Sequence, residues 1–100
     1  MNMRKMMQQA QKMQEQMERD LSLLEVDAGV GGGMVQVRMN GHKQLLKVTI
    51  DPEGIDTDDV TMLEDLVLAA VNEAARKVDA EMQNKMSGLA GALGGGLPGL

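Results

Sequence analysis

The chain has no phenylalanine, tyrosine or tryptophan, no cysteine, and only two prolines in 100 residues. Aromatic side chains bury roughly 150–250 Å² each, so the core must be assembled from leucine, valine, isoleucine, alanine and methionine. For a chain this short such a core is thin, and pairing two copies is the simplest remedy. Without cysteine there is neither a disulfide framework nor a thiolate zinc site. No apolar run approaches the ~18–20 residues of a membrane span. Met1 is followed by a polar, glutamine-rich stretch, not by the apolar segment of a secretory signal. These absences predict one soluble domain in a reducing compartment, with no membrane partner.

What is present is methionine, 11 residues of it, and charge laid down in blocks. The net charge is −5, which by itself speaks against a polyanionic partner. The distribution says more than the total. Residues 1–14 hold Arg4, Lys5 and Lys12 with no acid, and residues 28–50 hold Arg38, Lys43 and Lys47 with no acid. Between them, residues 15–27 set five acids against Arg19. Residues 51–65 carry seven acids and no base, and beyond them Arg76, Lys77 and Lys85 balance three acids. An acidic chain thus contains two purely basic segments.

Met3, Met6, Ala10, Met13, Met17, Leu21 and Leu24 recur at spacings of three and four, which predicts a helix over 3–24, ~33 Å long. The glycine-rich run 28–33 is unsuited to helix and fits a flexible strand or bulged turn. Residues 34–39 alternate, with Val35, Val37 and Met39 on one face. Asn40-Gly41 then signals a tight two-residue hairpin turn, and 42–50 return as a strand with Leu46, Val48 and Ile50 buried and Leu45 on the polar side. Pro52 closes that strand. Asp56, Thr57 and Asp58 offer helix caps, and Thr61 with Glu64 fits a capping box. A second helix follows over 59–86, striped by Leu63, Val67, Ala70, Val71, Ala74, Val78, Met82 and Met86. Residues 1–87 read as one domain, and 88–100 as a flexible glycine-rich tail. The fold class is α+β: a long N-terminal helix, a three-stranded antiparallel sheet and a long C-terminal helix. The two helices are expected side by side and antiparallel, with Met3 near Met86 and both far ends projecting beyond the sheet.

Little here supports catalysis. The glycine run lacks the Lys-Ser/Thr ending of a phosphate loop and precedes a strand instead of a helix. Residues 51–59 put Asp56 where a calcium loop needs glycine. His42, the only histidine, has no nucleophile in its segment. The methionine stripes fit a core and subunit interface better than a cofactor groove. The chain therefore reads as a binding protein, not an enzyme, with no cofactor, no metal and no small-molecule substrate.

Several stretches resemble the YbaB/EbfC family of bacterial nucleoid-associated proteins. They are Met7-Gln8-Gln9-Ala10-Gln11-Lys12-Met13-Gln14, Ala28-Gly29-Val30-Gly31-Gly32-Gly33-Met34-Val35 with Asn40-Gly41, and Val48-Thr49-Ile50-Asp51-Pro52. Met62-Leu63-Glu64-Asp65-Leu66-Val67, followed by Ala69-Ala70 and Asn72, completes the ordered set. The resemblance implies a tweezer-like homodimer that binds double-stranded DNA in the bacterial cytoplasm, associated with the nucleoid and in some members with gene regulation. It implies DNA contact at the projecting helix ends, which here means Arg4, Lys5 and Lys12 on the first helix and Arg76, Lys77 and Lys85 on the second. Absence of aromatic residues disfavours single-strand binding by base stacking, which leaves duplex DNA held by its backbone. The alternative is a protein–protein adaptor whose helices grip a partner, with DNA association indirect.

Overall fold

The computed structural model describes residues 2–94, with side chains described for residues 2–88. The element order is α1 (Met3–Leu23), β1 (Glu25–Val30), β2 (Val35–Asn40), β3 (Leu45–Ile50) and α2 (Val60–Gly94). The strands form one antiparallel sheet in the order β1-β2-β3. This is the expected α+β arrangement of two helices flanking a three-stranded antiparallel sheet.

The alternation in the strands sets the core. Val26 pairs with Met39, Ala28 with Val37 and Val30 with Val35, so these side chains share one face. That face packs against Ala70, Ala74 and Val78 of α2, and Val35, Ala70 and Ala74 are completely buried. Alanines four residues apart let the helix backbone approach the sheet closely. Leu63, Leu66, Val67, Val71, Ala75 and Met82 fill the margins of this core. α2 crosses β1 and β2 and leaves β3 uncovered.

Four details depart from the sequence reading. The turn after β2 is not a two-residue one. The Asn40 N–H donates to the Gln44 carbonyl, closing a three-residue loop in which Lys43 carries the positive φ (61°). Asn40 is buried, and its Oδ1 accepts from the N–H groups of His42 and Gln44. Gly41 serves a different purpose: its N–H donates to the Leu21 carbonyl at 2.9 Å, and a Cβ there would lie 2.3 Å from that oxygen. The glycine admits the end of α1.

The second departure is on β3. Leu45 pairs with Met39 and Lys47 with Arg38, so Leu46 is an extra residue in a bulge. The bulge turns Leu45 onto the face of buried Met39, not the polar face. Leu46 and Val48, expected in the core, are exposed because no helix covers β3, and Ile50 is half-buried.

Third, the helices do not form an intramolecular antiparallel pair. α1 has no buried residue and touches the rest of the fold mainly at β2, whereas α2 packs on β1 and β2. Leu24 alone joins α1 to β1, and its extended backbone swings α1 off the end of the sheet, clear of α2. The helix of 21 residues is ~31 Å long. Both helices nevertheless project from the same end: Leu21 meets Gly41, and Asp79 of α2 pairs with Lys43, so the C-terminal part of α2 runs out past the same loop.

Last, the helix boundaries differ. Asp59 caps α2, its Oδ1 accepting from the Met62 N–H, so Thr61 lies inside the helix instead of capping it. At the other end α2 continues to Gly94, past the expected end at Met86, because the alanines and leucines of 89–93 favour helix and no proline intervenes before Pro98. The remainder of the expected tail, 95–100, lies outside the described residues.

Candidate nucleic-acid interface

The basic part of α1 follows from its helical period. Lys5 and Lys12 are seven residues apart, just under two turns, so they share one face, about a third of a turn around the helix from the stripe of Met6, Met13 and Met17. Arg4 flanks them. Asn2 caps the helix, its Oδ1 accepting from the Lys5 N–H at 3.4 Å. All three basic side chains are exposed, and none has an acidic partner within 4.0 Å among the described residues.

The basic residues of α2 are placed differently. Arg76 is bound to Glu73 one turn earlier, and that pairing holds the Glu73 carboxyl below its ordinary range. The Lys77 Nζ donates to the Asp27 carbonyl at 2.7 Å and fastens α2 to β1. Both lie on the stretch of α2 that packs over the sheet, between buried Ala74 and Val78. Lys85 alone of the three stands on the projecting part, and it is exposed. The structure therefore does not gather the six residues into one patch: Arg4, Lys5 and Lys12 form one group, Lys85 stands on the other arm, and Arg76 and Lys77 sit nearer the body.

Two further cations are engaged. Arg38 Nε donates to Asp27 Oδ1 at 2.9 Å. This hydrogen bond keeps the aspartate below and the guanidinium above their ordinary pKa values. Arg38, Lys47, Gln36 and Thr49 line a depression of about 330 Å³ on the face of the sheet away from α2. Lys43 Nζ reaches Asp79 Oδ1 at 2.8 Å, and His42 Nε2 lies 3.1 Å from Glu18 Oε1 and 3.3 Å from Ser22 Oγ. The three-residue loop thus grips both helices. Sequence alone gave no sign of this, since nothing in Gly41-His42-Lys43 reveals which helices it will meet.

The opposite end of the sheet is acidic. Asp51 follows β3, its N–H donating to the Met34 carbonyl, and Glu53, Asp56, Asp58 and Asp59 follow within the same exposed turn. These acids make that end of the sheet locally negative, away from the basic tip of α1. Among the described residues there is no cluster of His, Cys, Asp or Glu able to hold a metal ion, and no helix is long and apolar enough to cross a membrane.

Residues 1–93 match the family model described as the YbaB/EbfC DNA-binding family. The chain belongs to this family. A nucleoid-associated protein of Ruminiclostridium cellulolyticum is 48% identical over 102 residues, covering 99% of this chain and 88% of the relative. One from Koribacter versatilis is also 48% identical, over 98 residues that cover 98% of this chain and 95% of the relative. Agathobacter rectalis supplies another, 50% identical over 99 residues, with 96% of this chain and 88% of the relative covered. The crystal structure of an uncharacterised protein from Helicobacter pylori superposes with a TM-score of 0.65 at 23% identity, covering 84% of this chain and 98% of that one. That likeness shows that the fold seen here is also built by a sequence sharing fewer than a quarter of its residues.

Proposed function

We propose that this chain is a nucleoid-associated protein of the bacterial cytoplasm that binds double-stranded DNA as a homodimer, organising the nucleoid and influencing gene expression. The observation that carries the reading is the charge polarity of the fold. Three unpaired cations stand on the far half of an arm, at the opposite end from five exposed acids. Contact is with phosphates, through Arg4, Lys5 and Lys12, with Lys85 of the other arm as a further contact and Arg76 and Lys77 closer to the sheet. The uncovered apolar faces of α1 and β3 support the dimer, since both need a partner to be kept from water. No catalytic step enters this reading.

The test is a titration with duplex DNA over a range of salt. Three cations per chain, doubled by a two-fold axis, make ~6 phosphate contacts, and these predict a loss of about a thousandfold in affinity between ~50 and ~200 mM salt. Changing Arg4, Lys5 and Lys12 together to Glu should abolish most of that affinity while leaving the helical circular dichroism intact. Affinity indifferent to salt, or unaltered by the triple change, would rule out phosphate contact by this arm. Failure of the purified protein to shift DNA even at low salt would favour the adaptor instead.

A further inference from the structure

The face of the sheet turned away from α2 carries cations that belong to neither arm. Asp27, Arg38 and Lys47 lie in one row across the three strands, and Gly29, Gln36 and Thr49 in another. All are exposed, and together they line the depression of about 330 Å³. Two features here run against the stability of the sheet. Arg38 and Lys47 are directly opposed on neighbouring strands, a like-charge pair that weakens a sheet. Asp27 engages Arg38 through Nε alone, and Lys47 has no acidic partner within 4.0 Å among the described residues. The other feature is Gly29, in mid-strand with a φ that is not positive. A Cβ there would meet nothing closer than the Gln36 Cγ at 3.5 Å, an ordinary contact. Neither backbone conformation nor a clash calls for glycine at this position. Glycine inside a strand weakens it, and often marks a place where a ligand comes close to the backbone.

We propose that this depression is a second phosphate site, separate from the α1 arm, which takes a backbone phosphate of duplex DNA. The proposal rests on the DNA-binding reading given above and adds a contact surface to it. The donors suit the ligand. With Nε turned to Asp27, the Arg38 Nη groups are left to donate, beside the Lys47 ammonium, the Thr49 hydroxyl and the Gln36 amide. The acids within the strands, Glu25 and Asp27, both stand on β1, so the β2–β3 half of the face is the cationic one. A phosphate has oxygens enough for several of these donors at once. A carboxylate has only two, and Asp27 already supplies one to the site. The setting is open, with the Arg38 side chain 46% exposed. That suits a phosphate projecting from a large surface, where a small free anion is better held in an enclosed cavity. A phosphate over the row relieves the repulsion between Arg38 and Lys47, and the missing side chain of Gly29 leaves it room. The two local costs then have one reason.

The test uses the full chain and a short DNA duplex, with the arms left unchanged. Lys47→Gln removes one phosphate contact, so the slope of log affinity against log salt should fall by ~1 per protomer, and low-salt affinity with it. The same change abolishes the like-charge pair, so the melting temperature should hold or rise. Gly29→Val fills the depression with a strand-forming side chain and alters no charge. It should weaken duplex binding while raising the melting temperature, which separates occupancy of the site from overall electrostatics. A purely structural role would move stability and affinity in the same direction. A wild-type chain that fails to bind the duplex at low salt would sink the DNA-binding reading, and this proposal with it. A wild type that binds, with affinity and salt slope unchanged in both variants, would overturn the proposal alone. Amide resonances of Gln36, Lys47 and Thr49 should shift on addition of the duplex. Their response to inorganic phosphate or to a poly-glutamate peptide, but not to the duplex, would also overturn it, by assigning the depression to a free anion or an acidic protein segment.

Discussion

Replacing Gly41 by alanine tests what holds the α1 arm in place, and the sign of its effect separates two accounts of this glycine. If Gly41 served only the turn, alanine would be acceptable, because its φ is not positive, and the shorter list of unfolded conformations would stabilise the protein by ~0.4–1 kcal/mol. The structure argues the reverse. The added methyl would sit 2.3 Å from the Leu21 carbonyl oxygen, with the Leu21 Cα and carbonyl carbon at 2.8 and 2.9 Å. All three are backbone atoms of α1, so no side chain can swing aside. An ordinary C···O contact is ~3.3–3.6 Å, so the helix end must retreat by about 1 Å. The Gly41 N–H to Leu21 bond, now 2.9 Å, would then open beyond hydrogen-bonding range, at ~0.5–1.5 kcal/mol. The contacts of His42 with Glu18 and Ser22 would slacken with it. The net expectation is destabilisation by about 1–2 kcal/mol, concentrated in α1, because the α2–sheet core lies elsewhere. Native-state hydrogen exchange is the assay: amides of the last two turns of α1 should exchange roughly 5–30 times faster, while those around Ala70, Ala74 and Val35 change little. A variant with a raised melting temperature and unaltered α1 exchange would refute the close-approach argument.

Other perturbations follow from the core and the ion pairs. Val35→Ala removes two methyl groups from a fully buried site between sheet and helix, and should cost about 2–3 kcal/mol, seen as a lower urea midpoint with an unchanged slope. The carboxyls of Asp27 and Glu73 are held below their ordinary values chiefly by hydrogen bonds from Arg38 and Arg76. Lowered folded-state values mean that these pairs stabilise the fold above the unfolded carboxylate range and lose that contribution as pH falls through it, below about pH 4. Both pairs are exposed, so the loss should be small; Asp27→Asn should flatten part of the acid limb of a stability–pH profile, and an unchanged limb would show the pair to be inert.

Much of this fold is legible in the sequence because its elements obey clean periods. The alternation of Val35, Val37 and Met39 and the spacing of Ala70, Ala74 and Val78 each place one stripe in the core, and the structure buries both. What sequence misplaced involves relations between elements. Period-two reasoning treats 42–50 as a regular strand, so the bulge at Leu46 moved Leu45 to the other face without a local signal. The same reasoning assumes that an apolar face is covered by its own chain, and so buried Leu46 and Val48 in advance. For the candidate interface, sequence located the cations but not their company. That Arg76 is paired while Lys12 is not depends on where Glu73 falls relative to it on the helix, and that Lys77 is spent on Asp27 depends on a contact 50 residues away.

These misplacements share a cause that bears on function. A chain without aromatic residues can complete one layer of core between α2 and two strands, and it has no apolar mass left to cover a third strand and a 21-residue helix. Isolated helices are marginal in water even when their propensity is high, so an arm that buries nothing is held by its single-residue joint, by the Gly41–His42 loop and by whatever lies against its methionines. On the proposed dimer, the surfaces left uncovered within one protomer are those that build the pair, and the two-fold axis would fix the two arms by symmetry. The cations of α1 would then be presented at a set separation instead of on a loosely tethered helix. Ordering the arms before DNA arrives lowers the entropy lost on binding, so the thin core and the basic tips belong to one physical arrangement.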